Sequence, residues 1–329
     1  MAMKIVVIGT GGTIAGTSAL AHDNLGYAAA QLGVEQLLAS LPTAAHCSFE
    51  LITEQAAQID SKDMSFAVWQ CLAARVGYWL AQPAVQGIVL THGTDTLEET
   101  AWFLHSVLDP YWLARKPVVL TCAMRPATAL TPDGPQNLLD ALAVAGSARA
   151  RGVLVVCAGV VHAAEDVQKV HSYRLDAFDS GDAGPVGYVE EGYVRLVRHG
   201  DICSLAPVQP ALNALLTIAD VASWPRVEIV MSYAQARGST VEALVRDGVD
   251  GLVVATTGNG TLHQDLHASL RLAQASGVLV LRATRCPQGR ILAQATDDFP
   301  DAGGLTPVKA RISLLLALMA KKVAVTGVA

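Results

Sequence analysis

The chain has 329 residues, of which 52% are hydrophobic and 16% are charged, and its formal net charge is -6 at pH 7. This composition is typical of a globular protein with a large core and excludes a disordered chain. The acidic balance argues against nucleic acid as a partner, and no apolar run reaches the ~20 residues of a membrane-spanning helix. The length is sufficient for two domains of ordinary size.

The N-terminal half alternates apolar strand patterns with helical patterns. A glycine-rich turn, Thr10 to Gly16, follows the first strand, and an alanine-rich segment that contains Tyr27 then runs to about Gln31 and is expected to be mobile. The alternation predicts βαβ units with right-handed crossovers. Strands are predicted over residues 3–9, 88–90, 118–122 and 153–157, and helices over 34–41, 63–80, 97–108 and 137–150.

The C-terminal half begins with a different pattern. Gly181, Gly184 and Pro185 mark a turn, after which two alternating pieces, 186–189 and 193–197, predict a hairpin that leads into a linker. A second βαβ series has predicted strands over 227–231, 252–255 and 278–281, and helices over 241–245, 262–275 and 307–319. We therefore predict an α/β protein with a larger N-terminal parallel-sheet domain that includes a hairpin (1–190), a linker (191–217) and a smaller C-terminal α/β domain (218–329).

The cysteines and the start of the chain bear on its compartment. The six cysteines lack zinc-like spacing, and several adjoin apolar strand patterns, so we interpret them as reduced core residues: Cys47, Cys71, Cys122, Cys157, Cys203 and Cys286. The first strand pattern begins near Lys4, which leaves no room for a signal peptide before it. We therefore expect a cytoplasmic protein; the alternative is that a leader was removed before Met1.

The most informative stretch, Gly87 to Glu99, passes from a strand pattern through polar residues into a helix. The residues from Thr91 to Asp95 are predicted to form a loop at the carboxyl end of a strand, where open α/β sheets bind their ligands. Thr96 and Glu99 have the spacing of a capping box. The alternative is that the polar residues of this loop only cap the helix.

Three further polar segments could meet this loop: Thr10 to Thr13, Asp60 to Asp63, and Asp166 to Lys169. Carboxylate, lysine and hydroxyl groups that converge on one sheet edge suit nucleophilic catalysis, in which a lysine accepts the proton of a hydroxyl group. For the last two segments, a helix cap and a solvated charged loop are the alternatives.

Two other patterns are weaker. The glycines of Gly9 to Gly16 do not fit a dinucleotide-binding fingerprint, because the third glycine is displaced and no acidic residue follows at the required distance. His263 and His267 stand four residues apart, but Gln264 occupies the position of a metalloprotease glutamate, so surface histidines are expected. We therefore predict neither a nucleotide nor a metal site.

The chain resembles the bacterial L-asparaginase family in motifs that run in order over nearly its full length. The motifs are Thr10-Gly-Gly-Thr-Ile-Ala-Gly16, Thr91-His-Gly-Thr-Asp-Thr-Leu-Glu-Glu-Thr100, Ala123-Met-Arg-Pro126, Asp133-Gly-Pro135 and Gly258-Asn-Gly260. The resemblance implies an amidohydrolase that needs no cofactor or metal and converts L-asparagine to L-aspartate and ammonia through an acyl-enzyme. It also implies a homotetramer of tight dimers, in which a neighbouring subunit completes each site.

The resemblance further implies residue roles. Thr13 matches the nucleophile and Tyr27 the tyrosine that activates it, while Thr94, Asp95 and Lys169 match a second catalytic group. In substrate binding, Asp95 would contact the α-ammonium group and Ser61 the α-carboxylate. Backbone groups near Thr94 and Ala123 would stabilise the oxyanion, typically by ~3 kcal/mol per donor.

The sequence departs from the family pattern at several positions. Lys62 stands where many members carry glutamine, and Thr261 replaces an asparagine that a neighbouring subunit often contributes. Near Thr296 there is no glutamate to support the Thr13–Tyr27 pair, although Asp297 or Asp298 could substitute. The alternatives are therefore a glutaminase-asparaginase or another ω-amidase, and a binding protein that kept this fold without turnover.

Overall fold

The computed structural model describes residues 2–41, 49–198 and 220–326 of the chain. The chain divides into two compact units, Met1–Pro207 and Val208–Ala329. Both units are built of parallel strands and helices, which confirms the predicted α/β class.

The first unit is organised around one large sheet. Its strands are β1 (Lys4–Gly11), β2 (Glu50–Ile59), β3 (Val85–Thr91), β4 (Pro117–Thr121), β5 (Gly152–Cys157) and β6 (Val160–Ala163), followed, after the separate pair β7 (Gln168–Lys169) and β8 (Phe178–Asp179), by β9 (Gly187–Glu190) and β10 (Tyr193–Leu196). The eight strands are ordered β10-β9-β6-β5-β4-β3-β1-β2. The first five strands run parallel, and β6, β9 and β10 continue the sheet in antiparallel pairs.

Helices cover the sheet and explain its continuous apolar strands. The helices of this unit are α1 (Val34–Ala39), α2 (Phe66–Leu80), α3 (Leu97–Val107), α4 (Pro110–Leu113) and α5 (Gly134–Gly146). Successive residues of one strand, such as Ile88 and Val89, point to opposite faces of the sheet, yet both are fully buried. A strand that is buried on both faces reads as an unbroken apolar run, which is why β1, β3, β4 and β5 were predictable.

The strand order creates a switch point in the middle of this sheet. β2 and β3 lie on opposite sides of β1, so the chain leaves β1 towards one edge and returns on its other side. The turns after β1 and β3 therefore lie side by side at the carboxyl ends of two adjacent strands, where α/β sheets place their ligand sites.

Several element boundaries differ from the predictions. β2 was missed because it is an edge strand of mixed polar and apolar residues, most of them only partly buried. The helix predicted from residue 63 begins at Phe66, since Ser65 Oγ accepts a hydrogen bond from Val68 N at 3.4 Å. The helix predicted from residue 137 begins three residues earlier, at Gly134, with a proline in its first turn.

The predicted hairpin forms, and its second strand belongs to the sheet. Residues 193–196, which were assigned to the start of the linker, pair with β9. The rest of the predicted linker, from residue 199, lies outside the described residues. The domain limits at residues 190 and 218 stay a prediction.

The second unit contains a parallel sheet in the order β11-β12-β13, formed by β11 (Val227–Met231), β12 (Gly251–Thr256) and β13 (Leu279–Thr284). Its helices are α6 (Ser239–Arg246), α7 (Gln264–Ala275) and α8 (Pro307–Thr326). Its core includes Leu252, Leu266 and Phe299. Within the described parts of both units, no helix combines the length and the hydropathy needed to cross a membrane.

The cysteine interpretation holds in part. Cys122 and Cys157 are buried free thiols, as expected of core residues, whereas Cys71 and Cys286 are free but exposed. Cys71 lies on an outward-facing position of α2, a placement that helical periodicity and not local composition decides. The other two cysteines, Cys47 and Cys203, lie outside the described residues.

Candidate active site

Two glycines allow the turns after β1 and β3 to touch. Gly12 has φ +81°, and a Cβ added to it would lie 2.3 Å from Gly93 Cα. A Cβ on Gly93 would in turn lie 2.4 Å from Ser61 Oγ. The hydroxyl of Thr10 donates to the carbonyl of Thr91 at 2.8 Å, which joins the same two strand ends. Only glycine leaves room for this contact, so the two turns form one site.

The first turn pairs Thr13 with Tyr27. Thr13 begins a short 3-10 turn directly after Gly12, and its buried Oγ1 lies 2.6 Å from Tyr27 Oη. Gly16 makes room for the tyrosine ring, since a Cβ there would lie 2.8 Å from Tyr27 Cδ2. The structure therefore brings these two predicted residues into hydrogen-bond contact.

We call residues 17–28, which carry Tyr27, the tyrosine loop. Its ends are joined by backbone hydrogen bonds of 2.9 Å in both directions between Thr17 and Ala28. At its tip, Asp23 Oδ1 accepts hydrogen bonds from Leu25 N and Gly26 N at 2.9 and 2.7 Å. These bonds, first that from Gly26, hold the pKa of Asp23 below its usual value. The expected mobility of this segment stays a prediction.

The second turn pairs Thr94 and Asp95 with Lys169. Lys169 Nζ donates to Thr94 Oγ1 at 2.8 Å and to Asp95 Oδ1 at 2.6 Å. Thr94 is buried, whereas the Asp95 side chain is 53% exposed and therefore open to a solute. The lysine is delivered by β7, more than seventy residues along the chain, so its contact with Thr94 could not be read from local sequence.

Ser61 joins a third segment to this turn. Its buried hydroxyl accepts from Asp95 N at 3.2 Å, and its carbonyl oxygen accepts from Thr96 Oγ1 at 2.8 Å. The predicted capping box is therefore wrong: Thr96 is the N-cap residue of α3, but its side chain makes no cap hydrogen bond. The Thr96 hydroxyl does not cap the helix, because it donates instead to the carbonyl of Ser61, which lies 35 residues earlier in the chain.

Lys62 follows Ser61 and carries its charge into this part of the site. Its ammonium group hydrogen-bonds to Asp63 and lies 3.9 Å from an oxygen of Asp60. The hydrogen bond to Asp63 raises the pKa of Lys62 above its usual value, and the charge of Asp95 acts in the same direction. The side chain is 60% exposed, so Lys62 is a partly screened cation near Asp95.

Ala123 lies fully buried just after β4. Two residues hold its segment, and sequence reasoning assigns neither a role in the site: Asp133, which is named only as part of a motif, and Asn137. Asp133 accepts hydrogen bonds from the amides of Met124 and Arg125, both at 2.9 Å. Asn137 Nδ2 donates to the Cys122 carbonyl at 3.0 Å, next to Ala123. The sequence signal that could have identified them is the presence of polar residues at the start of the helix that follows β4.

Two buried side chains next to the site have shifted pKa values. His92 Nδ1 donates to the carbonyl of Gly93 at 2.7 Å, and burial lowers the pKa of His92 from 6.5 to about 4. The hydrogen bond that the Cys122 thiol makes to Cys157, together with burial, raises the pKa of Cys122 well above its usual value. Both groups are therefore uncharged at neutral pH.

The remaining predicted residues lie in the second unit. Thr261 Oγ1 lies 2.9 Å from Thr257 Oγ1 in a small loop after β12. The substrate contact expected of Thr261 stays a prediction. Asp297 pairs with the buried Arg282 at 2.6 Å, which lowers its pKa. Asp298 lies 2.9 Å from His267 Nε2. Both candidate substitutes for the missing glutamate thus have partners within their own unit.

The histidines of the second unit show no metal-like arrangement. His263 is the N-cap of α7, where its Nδ1 accepts from Asp265 N at 3.2 Å, and His267 stacks edge-on against Phe299. Among the described residues of the chain, no three His, Cys, Asp or Glu side chains cluster as a metal site would require.

Comparison with known proteins identifies the family of this chain. The family model described as "Asparaginase, N-terminal" matches residues 4–201, and that described as "Glutaminase/Asparaginase C-terminal domain" matches residues 226–325. A "Glutaminase-asparaginase" of Pseudomonas fluorescens biotype A is 36% identical over 323 residues, which cover 96% of this chain and 86% of that protein. "L-asparaginase 2" of Escherichia coli K12 is 35% identical over 327 residues, which cover 97% of this chain and 90% of that protein.

A solved structure agrees over the whole chain. The crystal structure of a "Probable Cytoplasmic L-asparaginase" from Campylobacter jejuni superposes with a TM-score of 0.87 at 34% identity, and the match covers 98% of each chain. Because the family models and these relatives span nearly the full length, this chain belongs to the asparaginase family.

Proposed function

We propose that this protein hydrolyses L-asparagine to L-aspartate and ammonia through a covalent intermediate on Thr13. The observation that carries the proposal is the meeting of two hydroxyl groups, each with its own activating partner. Thr13 contacts Tyr27, and Thr94 contacts Lys169, on turns that touch through Gly12 and Gly93. The names of the relatives, which include an L-asparaginase, support the same substrate.

In the first step, Tyr27 Oη would accept the proton of Thr13 Oγ1, from which it lies 2.6 Å away. The Thr13 oxygen would attack the side-chain amide carbon, and ammonia would leave with the transferred proton. Backbone groups near Thr94 and Ala123 would stabilise the negative oxygen of the tetrahedral intermediate. Water would then add to the carbonyl carbon of the acyl-enzyme, and its proton would pass through Thr94 Oγ1 to Lys169 in its neutral form. A proton would return to Thr13 Oγ1 as that oxygen leaves, which releases aspartate and restores the enzyme.

The same turns offer groups for the two charged ends of an α-amino acid. The exposed carboxylate of Asp95 would bind the α-ammonium group. Ser61 Oγ already accepts a hydrogen bond from Asp95 N, so its own proton is available for the α-carboxylate. Two further residues are proposed to line the substrate site: Lys62, whose charge borders the ammonium position, and Thr261, which a neighbouring subunit would contribute. None of these steps uses a cofactor or a metal.

A combined glutaminase-asparaginase is the second candidate, because one relative carries that name. L-Glutamine differs from L-asparagine by one methylene, and a single methylene is commonly worth only ~10- to 200-fold in discrimination. Both amides would therefore be tested on the same protein.

The test is ammonia release from L-asparagine and L-glutamine by the wild-type protein, Thr13→Ala and Lys169→Met. We expect turnover of L-asparagine, and a loss of about three orders of magnitude or more in both variants at unchanged fold, because each removes a reacting group. Near-normal turnover by Lys169→Met would remove Lys169 from the mechanism. If L-asparagine raised the melting temperature without ammonia release, the protein would be a binding protein of this fold.

We propose a homotetramer built as a dimer of dimers and located in the cytoplasm. The cytoplasmic location is supported by the name of the Campylobacter jejuni relative. Light scattering after gel filtration would measure the mass against the 34.4 kDa of one chain. Activity that is released with the periplasmic fraction of the native cells would contradict the proposed location.

A further inference from the structure

A second segment of the first unit holds the tyrosine loop. Residues 127–130, which we call the clasp, make three contacts with the tyrosine loop or with Gly16, the residue just before it. Ala127 N donates to the Gly16 carbonyl at 2.9 Å, and Leu130 N donates to the Ala21 carbonyl at 2.9 Å. Between these two backbone contacts, Thr128 contacts Ser18.

The Thr128 contact is made by a side chain and engages both backbone groups of one residue. Thr128 Oγ1 accepts a hydrogen bond from Ser18 N at 2.8 Å and donates to the Ser18 carbonyl at 3.3 Å. The two residues are 110 positions apart in the chain, so the contact is tertiary. One hydroxyl thus satisfies a donor and an acceptor of the loop together.

The clasp is itself attached to the catalytic end of the sheet. It follows Ala123 and Met124 on the segment that leaves β4, and Asp133 holds that segment through the amides of Met124 and Arg125. The clasp therefore fixes the position of the tyrosine loop relative to the carboxyl end of β4. The Thr17–Ala28 bonds close the base of the loop but do not tie it to the sheet.

We propose that Thr128 is a positioning residue that latches the tyrosine loop in the arrangement where Tyr27 contacts Thr13. The proposal rests on the proposed function, because it assigns a catalytic consequence to the Tyr27–Thr13 contact. Without the hydroxyl, the loop opens more often and Tyr27 is correctly placed for a smaller fraction of the time. A neutral, exposed hydrogen-bonding contact of this kind shifts such an equilibrium by about fivefold.

The test compares Thr128→Val, Thr128→Ser and Thr131→Val with the wild type. Valine keeps the shape of threonine without the hydroxyl, and serine keeps the hydroxyl without the methyl group. Thr131→Val is the matched control, because Thr131 Oγ1 accepts from Arg125 and not from the tyrosine loop. Two quantities are measured: kcat/KM for L-asparagine, and amide hydrogen exchange of peptides that span residues 17–28, with peptides from β3 as internal reference.

We expect Thr128→Val to speed exchange across residues 17–28 by about fivefold, because exchange follows the open population of the loop, while β3 and the melting temperature are unchanged. The variant should lower kcat/KM by at most the same factor, because kcat/KM follows the closed fraction. Thr128→Ser and Thr131→Val should match the wild type in both measurements. Wild-type exchange and kcat/KM in Thr128→Val would overturn the latch, and so would a serine variant that behaves like the valine variant. A wild-type protein that releases no ammonia would overturn the proposed function, whereas the exchange data would still decide the latch.

Discussion

Lys62 places a positive charge close to the carboxylate that is proposed to bind the ammonium group of the substrate. Its hydrogen bond to Asp63 keeps it charged and holds it at the rim of the site. The charges of Lys62 and Asp95 attract each other. The positive charge of Lys62 therefore already offsets part of the attraction of Asp95 for the substrate ammonium. The residue therefore bears on affinity for the substrate more than on the chemical step.

Lys62→Gln should lower the KM for L-asparagine by about threefold at low ionic strength, with kcat nearly unchanged. The physical reason is the loss of a like charge near the substrate ammonium, and the effect should shrink as salt is raised. Steady-state kinetics at two salt concentrations measure it, and Lys62→Arg is the charge-preserving control. An unchanged KM would show that the charge of Lys62 does not reach the bound ammonium.

At the scale of elements, the site depends on how closely the ends of β1 and β3 approach. The positive φ of Gly12 and the absence of its Cβ allow the contact with Gly93. A motif such as Thr-Gly-Gly-Thr shows that a tight turn is present. The identity of the partner backbone follows only from the strand order, which places β3 beside β1.

Gly12→Ala should reduce kcat by about 100-fold, because it pushes the turn that carries Thr13 away from the turn that carries Thr94. It should also lower the free energy of unfolding by about 2 kcal/mol or more, through the strained φ and the backbone clash. Gly77→Ala in α2 is the control, since its Cβ would meet nothing within 4 Å, and it should stabilise the protein by about 1 kcal/mol. Kinetics and urea unfolding report both effects; full activity in Gly12→Ala would refute the close contact.

At the scale of the whole molecule, the buried side chain of His92 makes the free energy of unfolding depend on pH. His92 has a pKa of about 4 in the folded protein, against 6.5 as its ordinary value. Between these two pH values the unfolded chain binds a proton at this site and the folded chain does not. The stability contributed by neutral His92 is therefore complete above pH 6.5 and is lost as the pH falls towards about 4.

Between pH 7.5 and pH 4, His92→Gln should lose about 3 kcal/mol less of its free energy of unfolding than the wild type loses. Urea unfolding of the wild type and the variant across this range gives the difference, in which the carboxylates that titrate in both proteins cancel. Turnover at pH 7.5 should persist, because His92 Nδ1 bonds to the Gly93 carbonyl and not to a reacting group. Parallel pH profiles of the two proteins would contradict the assignment.

The elements that sequence patterns predicted are those with strong local signals. The continuous apolar runs of β3, β4 and β5 predicted buried parallel strands, and the turn before β9 predicted the hairpin. The edge strand β2 gave no comparable signal, because half-buried strands of mixed composition resemble loops. Thr96 shows the limit of local rules, since the spacing of a capping box was present and the hydroxyl went to Ser61 instead.

The sequence by itself determined the α/β class, the principal strands and helices, and the residues of the motifs, because these depend on periodicity and on residue type within short windows. Only the tertiary structure decided which of those residues meet. It brought Lys169 to Thr94, placed Ser61 against Gly93 and set Thr128 on the tyrosine loop. The physical reason is that such contacts depend on strand order and backbone approach between distant segments, which no local pattern encodes.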